Sequence, residues 1–445
     1  MHRHEIARPN GRQSCGTLLA GKAASIGKCG PKRELHLAIR IDNYFQVSEF
    51  LGPHSAAQII DAVCRPLRAL CRSRQIDRAV VSSGSDGWLD AVFESNNVDC
   101  SLLVHACCVG IAATPVRLGK SAILPVLSFG AVAEGTAAEH AASNVVSPEM
   151  RRIASKGMPA IVDPAVYKRD MKAATRLFEA INSDSLLLAW QPIRHTYDPA
   201  DVLYRLASLH LIDNCGALVP TQDDLLSARR IGASGPLDCY MVSRALDELQ
   251  ASSQISLGVN ISGNSAKLDF WWTEVVARLS KDRSLGSRLF LEIGSNEVLP
   301  PLPDVSAFVD RMRSLGCNIV IGNFGTGYSS IRAMMALKPN AVKIDPLFLR
   351  YANQGEQHRT LLNHLVGLGE AIAGTVIVEG IETADASKLA RDAGVIWQQG
   401  LYQGTSSLSR VWTSSPHDRQ IAALKQFRDT CLKGLSASHT QDGVT

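Results

Sequence analysis

Eight short apolar runs occupy the second half of the chain, and most of the later ones are separated by stretches with helical periodicity. The runs span residues 186–191, 203–209, 255–261, 289–293, 318–323, 341–345, 375–379 and 395–399, and the main intervening helices are predicted at 237–249, 305–315, 361–372 and 384–393. Eight strands that alternate with helices over about 230 residues predict a closed (β/α)8 barrel.

The first half has a different rhythm. Strand patterns at 35–41, 78–82, 88–93 and 122–132 and helical patterns at 56–71 and 100–113 give the order β-α-β-β-α-β, which predicts a small α/β sandwich. The predicted organisation is therefore a flexible tail at 1–34, a first domain at 35–163, a connector helix at 164–181, the barrel at 182–414, and a C-terminal helix and tail at 415–445.

Composition excludes several classes of protein. Hydrophobic residues make up 46% of the 445 and charged residues 20%, which excludes a mostly disordered chain. A net charge of +4 is too small to predict a nucleic-acid binder. No apolar run reaches the roughly 20 residues of a membrane helix, and no secretion signal is visible, so we expect a cytoplasmic protein without membrane contact. Eleven cysteines without a CxxC pair predict reduced thiols.

Polar side chains follow the carboxyl ends of most of the predicted barrel strands. They are Gln191, Asn260, Glu292, Asn323, Lys343 with Asp345, Glu379 with Glu382, and Gln399. Barrels of this kind build their sites at that face, so these residues predict a pocket there.

The segments around these strand ends resemble the EAL family, the phosphodiesterases of cyclic di-GMP. The similarity spans roughly residues 182–408, and its most specific segments are the sequence NFGTGYSS at 323–330 and VEGIE at 378–382. Residues 35–163 resemble, more weakly, the GGDEF family of diguanylate cyclases. Tandem GGDEF–EAL chains joined by a connector helix are a common arrangement.

The resemblance implies phosphodiester hydrolysis assisted by two divalent cations, Mg²⁺ or Mn²⁺, held mainly by carboxylates. It assigns metal ligation to Asn260, Glu292 and Glu379 and places Lys343 near the attacking water. Gln191, Asp345, Glu382 and Gln399 match further pocket positions.

Departures from the family pattern change this expectation. The glutamate of the motif falls at Arg205, its phosphate-binding arginine at Leu209, and the paired aspartates at Gly322 and Asn323. A further acidic position falls at Ser295. With these carboxylates missing we expect no bound cofactor, and a neutralised pocket in which Arg205 and Lys343 pair with Glu292 and Glu379.

The first domain departs from its family as well. The position of the first metal-binding aspartate holds Arg40, and the signature turn is Gly84-Ser85-Asp86-Gly87-Trp88, so we expect no cyclase activity. Arg74 and Asp77 have the form of the family's RxxD inhibitory site. A solvated helix end is the favoured interpretation of that pair, and the inhibitory site stays open.

These features favour a non-catalytic protein of the cyclic di-GMP pathway that acts through an unknown protein partner, with weak nucleotide binding left open. A homodimer through the barrel is also left open. The alternative is a slow metal-dependent cyclic di-GMP phosphodiesterase, in which the remnants Lys343 and Glu379 still act with one ion. A third hypothesis is a decayed relative held together by its core alone.

Overall fold

The computed structural model describes residues 33–410, with gaps at 71–75, 85, 96–100, 120, 131–132, 137–162, 184, 213–217, 295–298 and 328–329. The predicted tail, the C-terminal helix, Arg74 and Ser295 therefore lie outside the described residues. None of the described helices is long and apolar enough to cross a membrane.

The N-terminal region is built on an antiparallel sheet in the order β2-β3-β1-β6, with β7 also paired to β1. Its strands are β1 (Arg33–Ile41), β2 (Arg78–Ser83), β3 (Trp88–Ser95), β6 (Leu127–Phe129) and β7 (Ala133–Thr136). Its helices are α1 (Tyr44–Leu51), α2 (Pro53–Ala69) and α3 (Ser101–Ala112). The predicted alternation of strands and helices is confirmed in this region.

The prediction of a single strand at 122–132 is wrong, because the segment forms two short strands with a break between them. Its first part, β5 (Ser121–Ile123), pairs with β4 (Val116–Leu118), and its second part is β6. Between them Pro125 has no N–H to donate to a ladder. The Asn43 side chain instead bonds the backbone on either side, donating to the Leu124 carbonyl at 2.9 Å and accepting from the Val126 N–H at 3.0 Å.

The connector helix α4 (Pro164–Asn182) links the two regions. Asp163 caps its first turn by accepting from the Ala165 N–H at 2.8 Å, and proline at the first helical position needs no donor. On the barrel side, the buried Asp170 accepts two hydrogen bonds from Arg230, at 2.6 and 2.7 Å. This bidentate pair ties the connector to helix α5 (Gln222–Arg230).

Within the described residues, eight strands close into a barrel in the order β8, β9, β11, β12, β13, β14, β15, β16, with β16 paired back to β8. Strand β8 runs antiparallel to both of its neighbours. The bounds are β8 (Leu186–His195), β9 (Val202–Ile212), β11 (Leu257–Ile261), β12 (Leu289–Ile293), β13 (Asn318–Phe324), β14 (Ala341–Ile344), β15 (Val376–Val378) and β16 (Trp397–Gln398); the short β10 (Leu218–Pro220) pairs with β9 outside the ring. The predicted barrel is confirmed.

Helices pack around the outside of these strands. They are α5 (Gln222–Arg230), α6 (Ser234–Ala251), α7 (Thr273–Lys281), α8 (Arg283–Gly286), α9 (Leu302–Ser314), α10 (Ile331–Leu337), α11 (Pro346–Ala352), α12 (Glu356–Ala373) and α13 (Ala384–Asp392). All four predicted helices of the barrel are found at their expected places.

The barrel strands separate two apolar layers. Ile193, Tyr204, Val320, Ala341 and Ile377 form a small cluster inside the barrel. The alternate residues of the same strands join the larger core between strands and helices. Since successive side chains of a strand point to opposite faces, this division identifies which residues face the interior.

Candidate functional site

A buried ion pair lies inside the barrel where three parallel strands end. The Lys343 ammonium donates to Oε2 of Glu292 at 2.8 Å and contacts Oε1 of Glu379 at 2.5 Å. The side chain of Lys343 is 0% exposed, that of Glu292 2% and that of Glu379 25%. The prediction that Lys343 pairs within this group of carboxylates is therefore confirmed, and Lys343 contacts both of them. Glu379 is the member that reaches the solvent.

Burial and charge act against each other in this group. Burial would lower the pKa of Lys343, but the two neighbouring carboxylates outweigh it and hold that pKa above its ordinary value. Burial raises the pKa of Glu292, with Lys343 opposing the rise. The lysine is thus charged at neutral pH, and its charge is what makes a carboxylate tolerable at this depth.

Tyr204 of β9 completes the group, and sequence reasoning did not single it out. Its hydroxyl donates to Oε1 of Glu292 at 2.5 Å, so both oxygens of that carboxylate are engaged. Its ring stacks on Phe290 with 4.2 Å between centroids. A Cβ on Gly258 would lie 2.5 Å from the ring, so glycine at that position leaves the space that the tyrosine fills.

The alternation along β9 corrects the placement of two site residues. Tyr204 and Leu206 pack in the interior cluster, whereas Ala207, Leu209 and Leu211 belong to the outer core. Arg205, between two inward-facing residues, therefore lies on the outer side of the strand, as does Leu209. Neither lines the site, so the expectation that Arg205 shares with Lys343 in neutralising Glu292 and Glu379 is wrong. The inward position next to Gln191 in the ladder is Leu206.

A shift of one residue in the alignment of β9 with the family motif explains why Arg205 and Leu209 do not line the site. With Leu206 in place of the motif glutamate, Ala207 coincides with the motif alanine, and the residue four positions later is His210. His210 lies on the same face as Ser208, whose Oγ is 3.2 Å from its Nε2. The sequence carried this signal in the apolar residues at 207, 209 and 211, which alternate with polar ones at 208 and 210.

Gly322 and Asn323, which stand where the family has its paired aspartates, have different local roles. The backbone of Asn323 is left-handed, with φ of 53°, and its amide donates to Oδ2 of Asp345 at 3.2 Å. Asp345 also accepts from Thr326 at 2.8 Å and caps helix α11 through the Leu347 N–H at 2.8 Å. A Cβ built on Gly322 would meet the Ile293 carbonyl oxygen at 3.7 Å, an ordinary van der Waals distance, so a side chain can start from this position without a clash.

The remaining predicted pocket residues divide into two groups. Gln399 donates to Oε1 of Gln191 at 2.8 Å, and Gln191 donates to the Gly404 carbonyl at 3.1 Å, so these two amides form one chain. Asn260 and Glu382 are exposed at the mouth. Within the described ranges, no three His, Cys, Asp or Glu side chains are grouped so that they could share a metal ion.

In the N-terminal region, Arg40 and Asp42 lie at the end of β1. Their side chains are 3.6 Å apart, and the Arg40 guanidinium lies 5.7 Å from the centre of the Trp88 ring. Ser128 donates a hydrogen bond to Asp42. Burial raises the pKa of Asp42 to about 6 in spite of these partners.

Comparison with known proteins gives the barrel its family. The profile of the EAL domain matches residues 174–406, slightly more than half of the chain. An uncharacterized protein of Mycobacterium tuberculosis is 25% identical over 302 residues, which are 64% of this chain and 48% of that protein. The cyclic di-GMP phosphodiesterase TpdA of Vibrio parahaemolyticus is 25% identical over 214 residues, or 48% of this chain and 35% of that protein. The chain thus spans less than half the length of these curated relatives.

Among solved structures, LapD of Vibrio cholerae, described as an S helix–GGDEF–EAL protein, is similar over 83% of this chain and 88% of its own, with 15% identity and a TM-score of 0.49. The profile match coincides with the eight-stranded barrel and with the ends of its strands, where the candidate site lies. The chain belongs to the EAL domain family.

Proposed function

We propose that this chain is a non-hydrolysing member of the cyclic di-GMP signalling system, which acts through protein interaction and binds the nucleotide weakly. The name of the Vibrio relative, a cyclic di-GMP phosphodiesterase, supports the choice of nucleotide. In keeping with the sequence-based expectation, the proposed location is the cytoplasm.

The observation that carries the proposal is the closed ion pair in the barrel. Both oxygens of Glu292 accept hydrogen bonds, from Tyr204 and Lys343, and Lys343 also holds Glu379. A hard divalent cation needs several oxygen ligands, most of them carboxylates, and would have to displace the buried ammonium. The donors at hand do not fit a pair of such cations.

The two inward positions that could supply more carboxylate oxygens lack them. Leu206 presents an aliphatic side chain, and Gly322 presents none. Asn323 and Asp345 are bonded to each other, and Asp345 is further engaged as a helix cap. We therefore propose that the chain holds no pair of catalytic metal ions and that Glu292, Lys343 and Glu379 stabilise the barrel.

For the N-terminal region we propose a GGDEF-like domain without cyclase activity. Arg40 stands where the resemblance requires a metal-binding carboxylate, and it lies beside Asp42 and the Trp88 ring. A guanidinium at that place repels a metal ion and supplies no oxygen ligand. Asp42 is the carboxylate that remains at this place, and because its pKa is raised to about 6 it carries its full charge only well above that pH.

A homodimer through the barrel also stays a proposal. Helix α10, which follows the NFGTGYSS segment, exposes 51% of Ile331 and 65% of Met335. The two side chains lie one helical turn apart, so together they offer an apolar patch against which a second copy of the chain can pack.

The alternative, a slow phosphodiesterase, is favoured by one observation. Glu379 and Asn260 both reach the solvent at the mouth of the barrel, where their oxygens are accessible to a single ion. Such an enzyme would depend on Mg²⁺ or Mn²⁺ and would lose its activity when Glu292 and Lys343 are both replaced by alanine.

Titration calorimetry of the full chain with cyclic di-GMP, in calcium-containing buffer that suppresses hydrolysis, tests the proposal. We expect weak binding that Gln191→Ala reduces further, because Gln191 and Gln399 form the polar chain beside the site. A pull-down with the full chain then identifies protein partners. Metal-dependent turnover by the wild type, lost in the double alanine variant, would contradict the proposal and support the slow enzyme.

A further inference from the structure

Three consecutive aromatic residues of the barrel region lie at its junction with the N-terminal region. Phe270, Trp271 and Trp272 form a one-turn 3₁₀ helix between strand β11 and helix α7, which we call the aromatic turn. None of the three belongs to the candidate site at the strand ends, so the packing of these side chains indicates a different role.

The aromatic turn is fixed to the barrel at both of its ends. Before it, Asp269 accepts a hydrogen bond from the Trp271 N–H at 3.1 Å. At its end, the buried Trp272 donates from Nε1 to the Ser265 carbonyl at 2.9 Å, and the centroid of its ring lies 4.9 Å from that of Phe308. The barrel therefore holds the backbone of the turn in one conformation.

The other two rings of the turn pack against the N-terminal region. The ring centroid of Phe270 lies 4.4 Å from that of Phe129 in β6 and 4.9 Å from that of His105 in α3. The Trp271 ring meets Phe129 edge-on at 5.0 Å, and Nε2 of the buried His105 donates to the Trp271 carbonyl at 3.3 Å. Ring pairs at such distances stabilise a contact beyond the area that they bury.

A glycine of the barrel makes room for Trp271. A Cβ built on Gly235, in helix α6, would lie 2.7 Å from Cδ1 of the Trp271 ring. The ring therefore contacts α6 of the barrel and Phe129 of the N-terminal region at once. Helix α3 also packs against helix α7, so the contact between the two regions extends beyond the turn.

Charged side chains border this apolar contact. Nζ of Lys267 lies 3.7 Å from Oδ2 of Asp269, and its charge also reaches Asp42 at the end of β1, where it opposes the rise in the pKa of that carboxyl. Asp42 accepts a hydrogen bond from Ser128, the residue before Phe129. An apolar centre with a polar border is typical of a protein interface.

The aromatic turn also continues directly from the mouth of the barrel. Strand β11 ends at Ile261, next to Asn260, and the Ser262 N–H donates to the buried Asp238 at 2.8 Å. The Ser265 N–H then donates to the Ser262 carbonyl at 3.0 Å. A contact that holds the turn therefore also holds the segment 262–269, which borders the mouth.

We infer that the aromatic turn is an intramolecular latch, by which the N-terminal region holds the segment beside the mouth of the barrel in place and joins both regions into one cooperative unit. Domains that share a small polar interface move relative to each other and open separately, whereas an apolar interface couples them. The latch gives the N-terminal region a role that needs no cyclase chemistry, and it does not depend on whether the barrel binds a nucleotide.

Hydrogen exchange of the full chain, followed by mass spectrometry at increasing urea concentrations, tests the inference because each region is read from its own peptides. In the wild type we expect peptides of α3 and β6 and peptides of the barrel strands to lose protection at the same urea concentration. Phe270→Ala removes the ring that contacts His105 and Phe129 and keeps Trp272 in the barrel. In this variant α3, β6 and the segment 262–269 should exchange at least about tenfold faster without urea, and should lose protection before the barrel strands.

Two further variants separate the latch from a general loss of packing. Gly235→Ala displaces Trp271 from the barrel side and should accelerate exchange in α3 and β6 in the same way. Tyr351→Ala is the matched control, because it removes another partly exposed ring of the barrel, whose neighbour is His358. It should leave the exchange of α3 and β6 as in the wild type.

A double substitution measures the contact itself. His105→Ala combined with Phe270→Ala should accelerate exchange at least about threefold less than the product of the two separate effects, because both remove the same contact. Circular dichroism confirms the fold of each variant. If Phe270→Ala does not fold, Phe270→Leu, which keeps an apolar side chain without the ring, replaces it with the same expected direction.

A wild type whose two regions lose protection at different urea concentrations would overturn the inference, whatever the variants do. Faster exchange in Phe270→Ala that stays within the peptide carrying the substitution would overturn it as well. So would effects of His105→Ala and Phe270→Ala that multiply fully, because the two residues would then not share a contact.

Discussion

The ammonium of Lys343 and the carboxylate of Glu292 are joined by a 2.8 Å hydrogen bond inside the barrel, with almost no surface of either side chain exposed. A second carboxylate, Glu379, shares the same ammonium. The group resembles a salt bridge in a protein core more than an open cation site, because the lysine occupies the space between the acids. We therefore expect the stability of the barrel, and its ability to bind a cation, to depend on this group of three side chains.

Replacing Lys343 should destabilise the protein strongly. Lys343→Met leaves Glu292 buried without its counter-charge, and breaking a buried pair in this way costs about 3–5 kcal/mol in the free energy of unfolding. Lys388→Met is the matched control, because Lys388 pairs with Asp392 on an exposed helix face and should cost less than about 1 kcal/mol. Urea denaturation measures both, and equal costs would contradict the structural role of Lys343.

The ring of Tyr204 should be sensitive to its glycine neighbour. Gly258→Ala places a methyl group 2.5 Å from Cε2 of the ring, which must move and weaken its hydrogen bond to Glu292. We expect a loss of about 1–3 kcal/mol in the free energy of unfolding. Gly110→Ala, in the exposed part of helix α3 with nothing within 4 Å of the new Cβ, should instead stabilise by up to about 1 kcal/mol. Denaturant unfolding that shows no difference between the two would refute the close packing at Gly258.

Restoring two inward carboxylates should create a cation site. Gly322→Asp has room, since its Cβ would meet nothing closer than 3.7 Å, and Leu206→Glu faces the same interior. We expect the double variant to bind Mn²⁺ at least about tenfold more tightly than the wild type in calorimetry. Leu206→Gln with Gly322→Asn keeps the shapes without the charges and should bind no better than the wild type. If the wild type bound Mn²⁺ as tightly as the double variant, the missing carboxylates would not limit binding.

Asp42 should make stability depend on pH in the acidic range. Its pKa is about 6 in the folded protein, against 3.8 as the ordinary value, so the folded state holds the proton more tightly than the unfolded state. The contribution of Asp42 is therefore fully present below about pH 4 and is lost as the pH rises to about 6. Relative to Asp42→Asn, the wild type should lose roughly 1.5–3 kcal/mol over this window in chemical denaturation. A constant difference between the two proteins would contradict the raised pKa.

Apolar periodicity was sufficient to predict the barrel. All eight predicted strands and the order of the N-terminal elements follow from runs whose period reflects burial, and a barrel buries its strands on both faces. Strand β9 shows the limit of this reasoning. A one-residue error in the alignment of this strand exchanges its two faces. The error placed Arg205 and Leu209 at the site, whereas Leu206 is the residue that faces it.

Contacts between distant strands could not be predicted. Tyr204 and Glu292 are 88 residues apart, and their hydrogen bond depends on the space left by Gly258 on a third strand. The pairing of Lys343 with these carboxylates was predictable because opposite charges at the carboxyl ends of the strands of one barrel must neutralise each other at depth.

The central claim is that this EAL barrel does not hydrolyse cyclic di-GMP. The most direct measurement incubates the purified full chain with cyclic di-GMP and Mn²⁺, and in parallel Mg²⁺, and quantifies the linear dinucleotide product over time. We expect no turnover above that of the Glu292→Ala, Lys343→Ala double variant prepared in the same way. Metal-dependent turnover in the wild type that disappears in the double variant would contradict the claim and establish a phosphodiesterase.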